Sequence, residues 1–232
     1  MYEAVHAHPD GDSTPSRFAR TAADYGFEGV AVRFQGAPDL DACERASDRY
    51  NVDVVDAVEV VATTPEQASG AIGNFRPKTT LLVLRGGDDK LNRFATEAER
   101  IDVLSRPMAG GDFNHVLAKS AKRNGVRVEF DFRRVLRADG GRRVQALKSM
   151  RTLRELVEYY DVPFVVSANP TSHLQLRAPR ELVAVGEQVG FSAEQIESGL
   201  REWGRLAARN RERTSESFIA PGVKRGRYEE DG

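Results

Sequence analysis

The chain has 232 residues, with 34 basic and 35 acidic side chains and a formal net charge of −1. That length holds one large domain or two small ones, with enough chain to bury a substantial core. No apolar run approaches the roughly 18 residues of a membrane helix, and no basic start with an apolar stretch marks a signal peptide. The single Cys43 excludes an internal disulfide, so a cytoplasmic protein is expected.

Short apolar, β-rich runs alternate with amphipathic stretches along the chain. Residues 3–6 read as a strand that ends in His6-Ala7-His8, a spacing that puts both imidazoles on one side of a strand. Thr14-Pro15 reads as a cap followed by proline at the first helical position, with Phe18, Ala22 and Tyr25 at helical spacing. Further strands are predicted over 29–34, 54–61, 79–85, 102–105, 126–132 and 163–168. Several are nearly continuous in Val, Leu, Ile and Phe, as parallel strands covered on both faces are. Helices over 38–50, from Thr64-Pro65 onward, and over 88–98, 112–124 and 142–160 fill the intervals, with Gly125 as a C-terminal stop. Two more helical patterns, 179–189 and 193–213, follow without a strong strand. The second opens on the capping box Ser192-x-x-Gln195 and carries the stripe Ile196, Leu200, Trp203 and Ala207. About seven strand-then-helix units predict a single TIM-like (β/α) barrel over residues 1–215 with extra C-terminal helices. A loose polar tail is predicted over 216–232.

Near-neutrality conceals an asymmetry. Residues 1–60 carry 12 acidic and 5 basic side chains, whereas residues 119–154 carry 12 basic and 3 acidic ones. Arginine supplies 28 of the 34 basic residues, and its planar fork grips phosphate bidentately. A solvated arginine-rich surface and a polyanion footprint both fit this pattern.

Barrels of this kind carry function at the C-terminal ends of their strands. In order those ends offer His6 and His8, Arg33, Glu59, Arg85, Arg106, Glu129 with Asp131, and Ser167 with Asn169. The stretch His6-Ala7-His8-Pro9-Asp10-Gly11, with Gly26 through Val32, resembles the first motif of the PHP metal-dependent phosphoesterases. The resemblance makes His6, His8 and Glu59 candidate metal ligands. It also places Arg33 and Arg106 where that family carries further ligands. A guanidinium cannot shed its proton, and at 4 Å a like charge costs about 4 kcal/mol at an effective dielectric near 20. The expectation is therefore that no metal is bound, and that His6 and His8 serve packing and hydrogen bonding. A PHP-type phosphoesterase using His6, His8 and Glu59 is the alternative.

A second resemblance spans nearly the whole chain. It is carried by Asp112 through Phe132, by Phe164 through Asn169 leading to Leu176-Arg177-Ala178-Pro179-Arg180-Glu181-Leu182, and by Leu91-Asn92-Arg93 followed by Ile101-Asp102-Val103-Leu104. These segments are similar to the protein component 3 family of archaeal ribonuclease P, whose eukaryotic relatives are the p30-type subunits. The resemblance implies a barrel akin to the PHP enzymes. It implies a subunit of the ribonucleoprotein that removes the 5′ leader of precursor tRNA, silent in isolation, with Mg²⁺ held by the RNA subunit and no cofactor of its own. Expected partners are the ribonuclease P RNA, the other protein subunits and, indirectly, precursor tRNA. With the charge pattern, it makes Arg85, Arg93, Arg106, Lys119, Lys122, Arg123, Arg133, Arg134, Arg137 and Arg177 candidate RNA contacts. The arginines of 133–143 are expected in a loop. Arg85, Arg106 and Arg177 are expected at the barrel mouth, where two readings stand: an internal network balanced by Glu59, Glu129 and Asp131, which is preferred, or an anion site that grips an RNA phosphate or a partner's carboxylate. Phe130 and Phe132 are expected in the core rather than as stacking platforms.

Overall fold

The computed structural model describes residues 1–214 and the backbone of Phe218–Ala220 and Val223–Lys224. Seven strands lie in one sheet in chain order and all are parallel: β1 (Tyr2–His6), β2 (Gly29–Phe34), β3 (Asp53–Val60), β4 (Leu81–Arg85), β5 (Val103–Ser105), β6 (Arg127–Asp131) and β7 (Phe164–Ser167). Helices α1 (Pro15–Asp24), α2 (Leu40–Tyr50), α3 (Pro65–Phe75), α4 (Asp89–Glu97) and α5 (His115–Asn124) connect the first six strands. A short α6 (Arg133–Arg137) and a long α7 (Gly140–Tyr160) connect β6 to β7, and α8 (Pro179–Val189) and α9 (Ala193–Thr214) follow. The tail predicted over 216–232 lies outside the described residues, except for a two-stranded antiparallel pair, β8 (Phe218–Ala220) with β9 (Val223–Lys224).

Period-two alternation sorts the buried side chains into two sets. Val5, Val30, Val32, Val54, Val58, Leu82, Leu84, Leu104 and Val128 face outward and pack beneath the helices. Ala4, Ala31, Val55, Ala57, Leu81, Val83, Val103 and Val165 face inward and share the interior with Trp203, Leu206 and Ala207 of α9. The small residues of β1 and β2 leave room for the indole, whose Nε1 donates to the Val166 carbonyl at 3.0 Å. The stripe read from the sequence thus divides: Trp203 and Ala207 plug the interior, while Ile196 and Leu200 pack with the outer core.

The sheet does not close by pairing: among the described residues β1 and β7 form no ladder. Glu3 bridges the seam instead. Its carboxyl, fully buried, accepts from the Ala4 and Ala168 amides at 3.0 Å each. The His6 amide donates to the Pro170 carbonyl at 2.9 Å, and α9 packs against both β1 and β7. The N-terminal end of the barrel is tied to α9 by ion pairs: Arg127–Glu202 (2.8 Å), Arg209–Asp102 (2.7 Å) and Arg211–Asp53 (2.8 Å).

Local chemistry sets the loop ends. Thr14, Thr64, Asp88 and Asn114 accept backbone amides at the starts of α1, α3, α4 and α5. Gly125 ends α5 in the left-handed region as expected, at φ 65°. The capping box at Ser192 and Gln195 forms in both directions. Two differences from the sequence reading bear on the basic segment. Phe132 is already helical in backbone, so Arg133, Arg134 and Arg137 stand on a helical turn rather than in a loop. Likewise α7 starts at Gly140, which puts Arg142 and Arg143 in its first turn.

Candidate nucleic-acid interface

The interior layer above Trp203 is charged. Arg33 of β2 is fully buried, bridges the barrel to Glu129 of β6 through its two terminal guanidinium nitrogens, and lies over the Trp203 ring at 5.0 Å. Burial works against its charge, but Glu129 and Glu59 outweigh burial and hold its pKa above the ordinary value. Arg85 of β4 grips Glu59 of β3 through Nη2 at 2.8 Å and Nε at 3.3 Å. Burial pushes the Glu59 carboxyl up, yet Arg33 and Arg85 prevail and hold it below the carboxylate range. Next to these pairs His6 sits 3.7 Å from Glu59 without a hydrogen-bond partner at Nε2. Burial and the Arg33 charge push its pKa down to about 4, so the ring is neutral at pH 7.

A second group lies at the ends of β5, β6 and β7. Asp131 accepts from Arg106 Nε (3.0 Å), from Asn169 Nδ2 (2.9 Å) and from the Arg133 amide (2.8 Å). Burial, then the neighbouring Glu129, raises its pKa despite Arg106. Arg106 and Asn169 both take left-handed backbone, at φ 53° and 47°. Asn92 of α4 fixes the Arg106 loop from below: its Nδ2 donates to the Pro107 and Asp112 carbonyls at 2.8 and 2.9 Å, and its Oδ1 accepts from Gly87.

The donor set does not fit a metal. Each mouth carboxylate is bound to a guanidinium, and among the described residues no group of three or more His, Cys, Asp or Glu could hold a metal ion. The paired imidazoles expected from His6-Ala7-His8 also do not form. Strand β1 ends at His6, and His8 turns away into an exposed loop, its amide held by the Ser13 carbonyl at 2.8 Å.

The candidate RNA contacts separate into distinct places. Arg85 and Arg106 belong to the internal network, as expected for the mouth. Arg177 does not join it: its Nη1 donates to the adjacent Leu176 carbonyl, and it forms no ion pair among the described residues. Arg93 pairs with Glu97 on the same helix. Lys119 lies over Tyr160 at 5.6 Å and Lys122 pairs with Asp161. Both, with Arg123, stand on α5. Because that helix runs back from the mouth, its last turn with Lys122 and Arg123 lies toward the opposite end of the barrel. Arg133, Arg134 and Arg137 instead border a cavity of about 790 Å³ beside the mouth, together with Arg106 and Arg142. Among the described residues the side chains of Arg133, Arg134 and Arg142 have no anionic partner, and Arg137 reaches only the Ala168 carbonyl (3.1 Å). Burial, then the Arg133 charge, lowers the Arg137 pKa.

Sequence reasoning missed the seam carboxyl Glu3, the loop clamp Asn92 and the stacking of Trp203 on Arg33. An arginine in an otherwise apolar strand was the available signal for a buried pair. Nothing local to Glu3 or Asn92 distinguishes them from surface residues.

Comparison with known proteins bears on this arrangement. The chain is 60% identical to ribonuclease P protein component 3 of Halorubrum lacusprofundi and 57% identical to that of Halobacterium salinarum, each covering 100% of both chains. In fold it is similar to a chain in the cryo-EM structure of archaeal ribonuclease P with mature tRNA, with a TM-score of 0.85, 19% identity and full coverage of both chains. The model of the RNase P subunit p30 family matches residues 1–215, and the chain therefore belongs to that family of ribonuclease P protein subunits.

Proposed function

We propose that the chain acts within ribonuclease P as a catalytically silent subunit that binds the RNA subunit through the arginines beside its barrel mouth. It thereby supports removal of the 5′ leader from precursor tRNA, alongside the other protein subunits, in the cytoplasm. Catalytic Mg²⁺ resides on the RNA subunit, and this chain supplies no metal ligand and no cofactor. No helix among the described residues is long and apolar enough to cross a membrane. The observation that carries the reading is the contrast between two sets of cations. Arg33, Arg85 and Arg106 are neutralised by Glu129, Glu59 and Asp131, whereas Arg133, Arg134, Arg137 and Arg142 line one cavity and form no ion pair among the described residues. Guanidinium groups left in this state attract phosphates and gain affinity by counterion release.

Replacing Arg133, Arg134 and Arg137 together by Ala is expected to weaken binding to the ribonuclease P RNA. The log–log salt slope should flatten by about one unit for each lost phosphate contact. A folded variant that keeps the wild-type slope overturns the assignment.

A further inference from the structure

The same cavity has a floor that phosphate binding does not explain. Beneath the arginine rim lie Met108, Phe130, Met150 and Leu153. A phosphodiester backbone passing over the surface uses only the rim. We infer, building on the reading above, that this cavity takes up one unstacked nucleotide of the RNA, its base on the apolar floor and its phosphate among Arg133, Arg134 and Arg137. At about 790 Å³ the space falls in the range of small-molecule sites. Bases inside a helix are stacked and paired, so only an extruded or single-stranded nucleotide can enter.

The electrostatics favour an anionic guest. Of the carboxylates that border the cavity, the buried Glu129 and Asp131 are bound by Arg33 and Arg106, and Asp139 is an exposed side chain 3.4 Å from Arg143. The base has no aromatic platform to stack on. Phe130 is committed edge-to-face to Phe164 and Phe191, with centroids 5.4 and 4.8 Å apart. Methionine thioethers and the flat faces of guanidinium groups take that role, since both adapt to any base. The pocket therefore discriminates by strand state rather than by sequence.

The test compares a short single-stranded oligoribonucleotide with a blunt duplex of the same length, bound to the full chain at one salt concentration. The single strand is expected to bind about tenfold more tightly. Adenosine or guanosine 5′-monophosphate should displace it at concentrations where inorganic phosphate and an oligo-glutamate peptide do not. Ser149→Trp, which fills the cavity from α7 and leaves every rim charge in place, should erase the preference while duplex binding persists. Equal binding of strand and duplex overturns the inference and leaves the backbone-binding reading intact. So does displacement by phosphate or oligo-glutamate as effective as that by the nucleotides. Binding of neither RNA overturns both. Should Ser149→Trp fail to fold, the mononucleotide competition on the unmodified chain decides.

Discussion

Arg33 and His6 show how single residues settle what the barrel mouth can hold. Arg33 is held charged inside the barrel chiefly by Glu129, which it grips directly, with Glu59 adding to the effect. Removing one partner leaves the other charge buried alone, so Arg33→Ala is expected to cost about 3–5 kcal/mol. The double replacement Arg33→Leu with Glu129→Leu should recover most of that loss in chemical denaturation; a double variant as unstable as the single one would show that the pair is not the unit. His6 and Glu3 set the pH response. The His6 pKa is pushed from 6.5 down to about 4 in the fold, so between those values the unfolded chain binds more protons and stability falls as pH is lowered from 6.5 toward 4. Glu3 works in the other direction. Burial raises it from 4.5 to about 8 despite the Ala168 and Ala4 amides. Its contribution is complete below 4.5 and is lost as pH rises through 8. Denaturation midpoints across pH should show the acid limb diminished in His6→Asn and the alkaline limb diminished in Glu3→Gln. Limbs unchanged in both variants would assign the pH response to other groups.

The elements explain which parts of this fold could be read in advance. Strands β2 and β4 announce themselves because both faces are covered and the runs are nearly continuously apolar. Helices α1 and α3 announce themselves through Thr-Pro starts that the structure uses as caps. Helix α9 was legible as amphipathic but its docking was not, because periodicity reports that a stripe is buried and not against what. Its Trp203 side chain enters the barrel through the seam that β1 and β7 leave unpaired, a tertiary event no local pattern encodes. At the mouth, Arg85–Glu59 follows from positions on neighbouring strands and Arg106–Asp131 from a residue just past the end of β5 beside the end of β6, so the sequence could suggest them. Glu3 meets Ala168 across 165 positions of chain, and Asn92 acts through loop carbonyls that carry no side-chain signature. Helix α9 also provides a test at this scale. Trp203→Ala empties the interior and removes the face against Arg33, and should cost about 3–5 kcal/mol. A loss below about 1 kcal/mol by denaturation would mean that α9 covers the seam without plugging it.

Over the whole molecule, charge is arranged so that the carboxylates of the barrel mouth are each taken up by a guanidinium group. A divalent cation beside His6 would face Arg33 and Arg85 at once, with Glu59 and Glu129 already occupied by them. His8, exposed in its loop, has no second ligand with it among the described residues. Cationic side chains that need no internal partner have moved sideways to α6 and the start of α7. The molecule thus separates structural cations in the barrel from available cations beside it. The expected outcome is that Mn²⁺, Zn²⁺ and Mg²⁺ leave the melting temperature of the purified chain unchanged. A native-state ligand at a hundredfold excess over its Kd would add about 2.7 kcal/mol, which a thermal melt detects readily. The chain alone should likewise hydrolyse neither phosphomonoesters nor precursor tRNA in the presence of these metals. A metal-dependent rise in Tm together with turnover, both abolished in the His6→Ala, His8→Ala variant, would restore the phosphoesterase alternative. A rise in Tm that survives that variant would place the metal elsewhere and leave the mouth as the ion-pair network it is here.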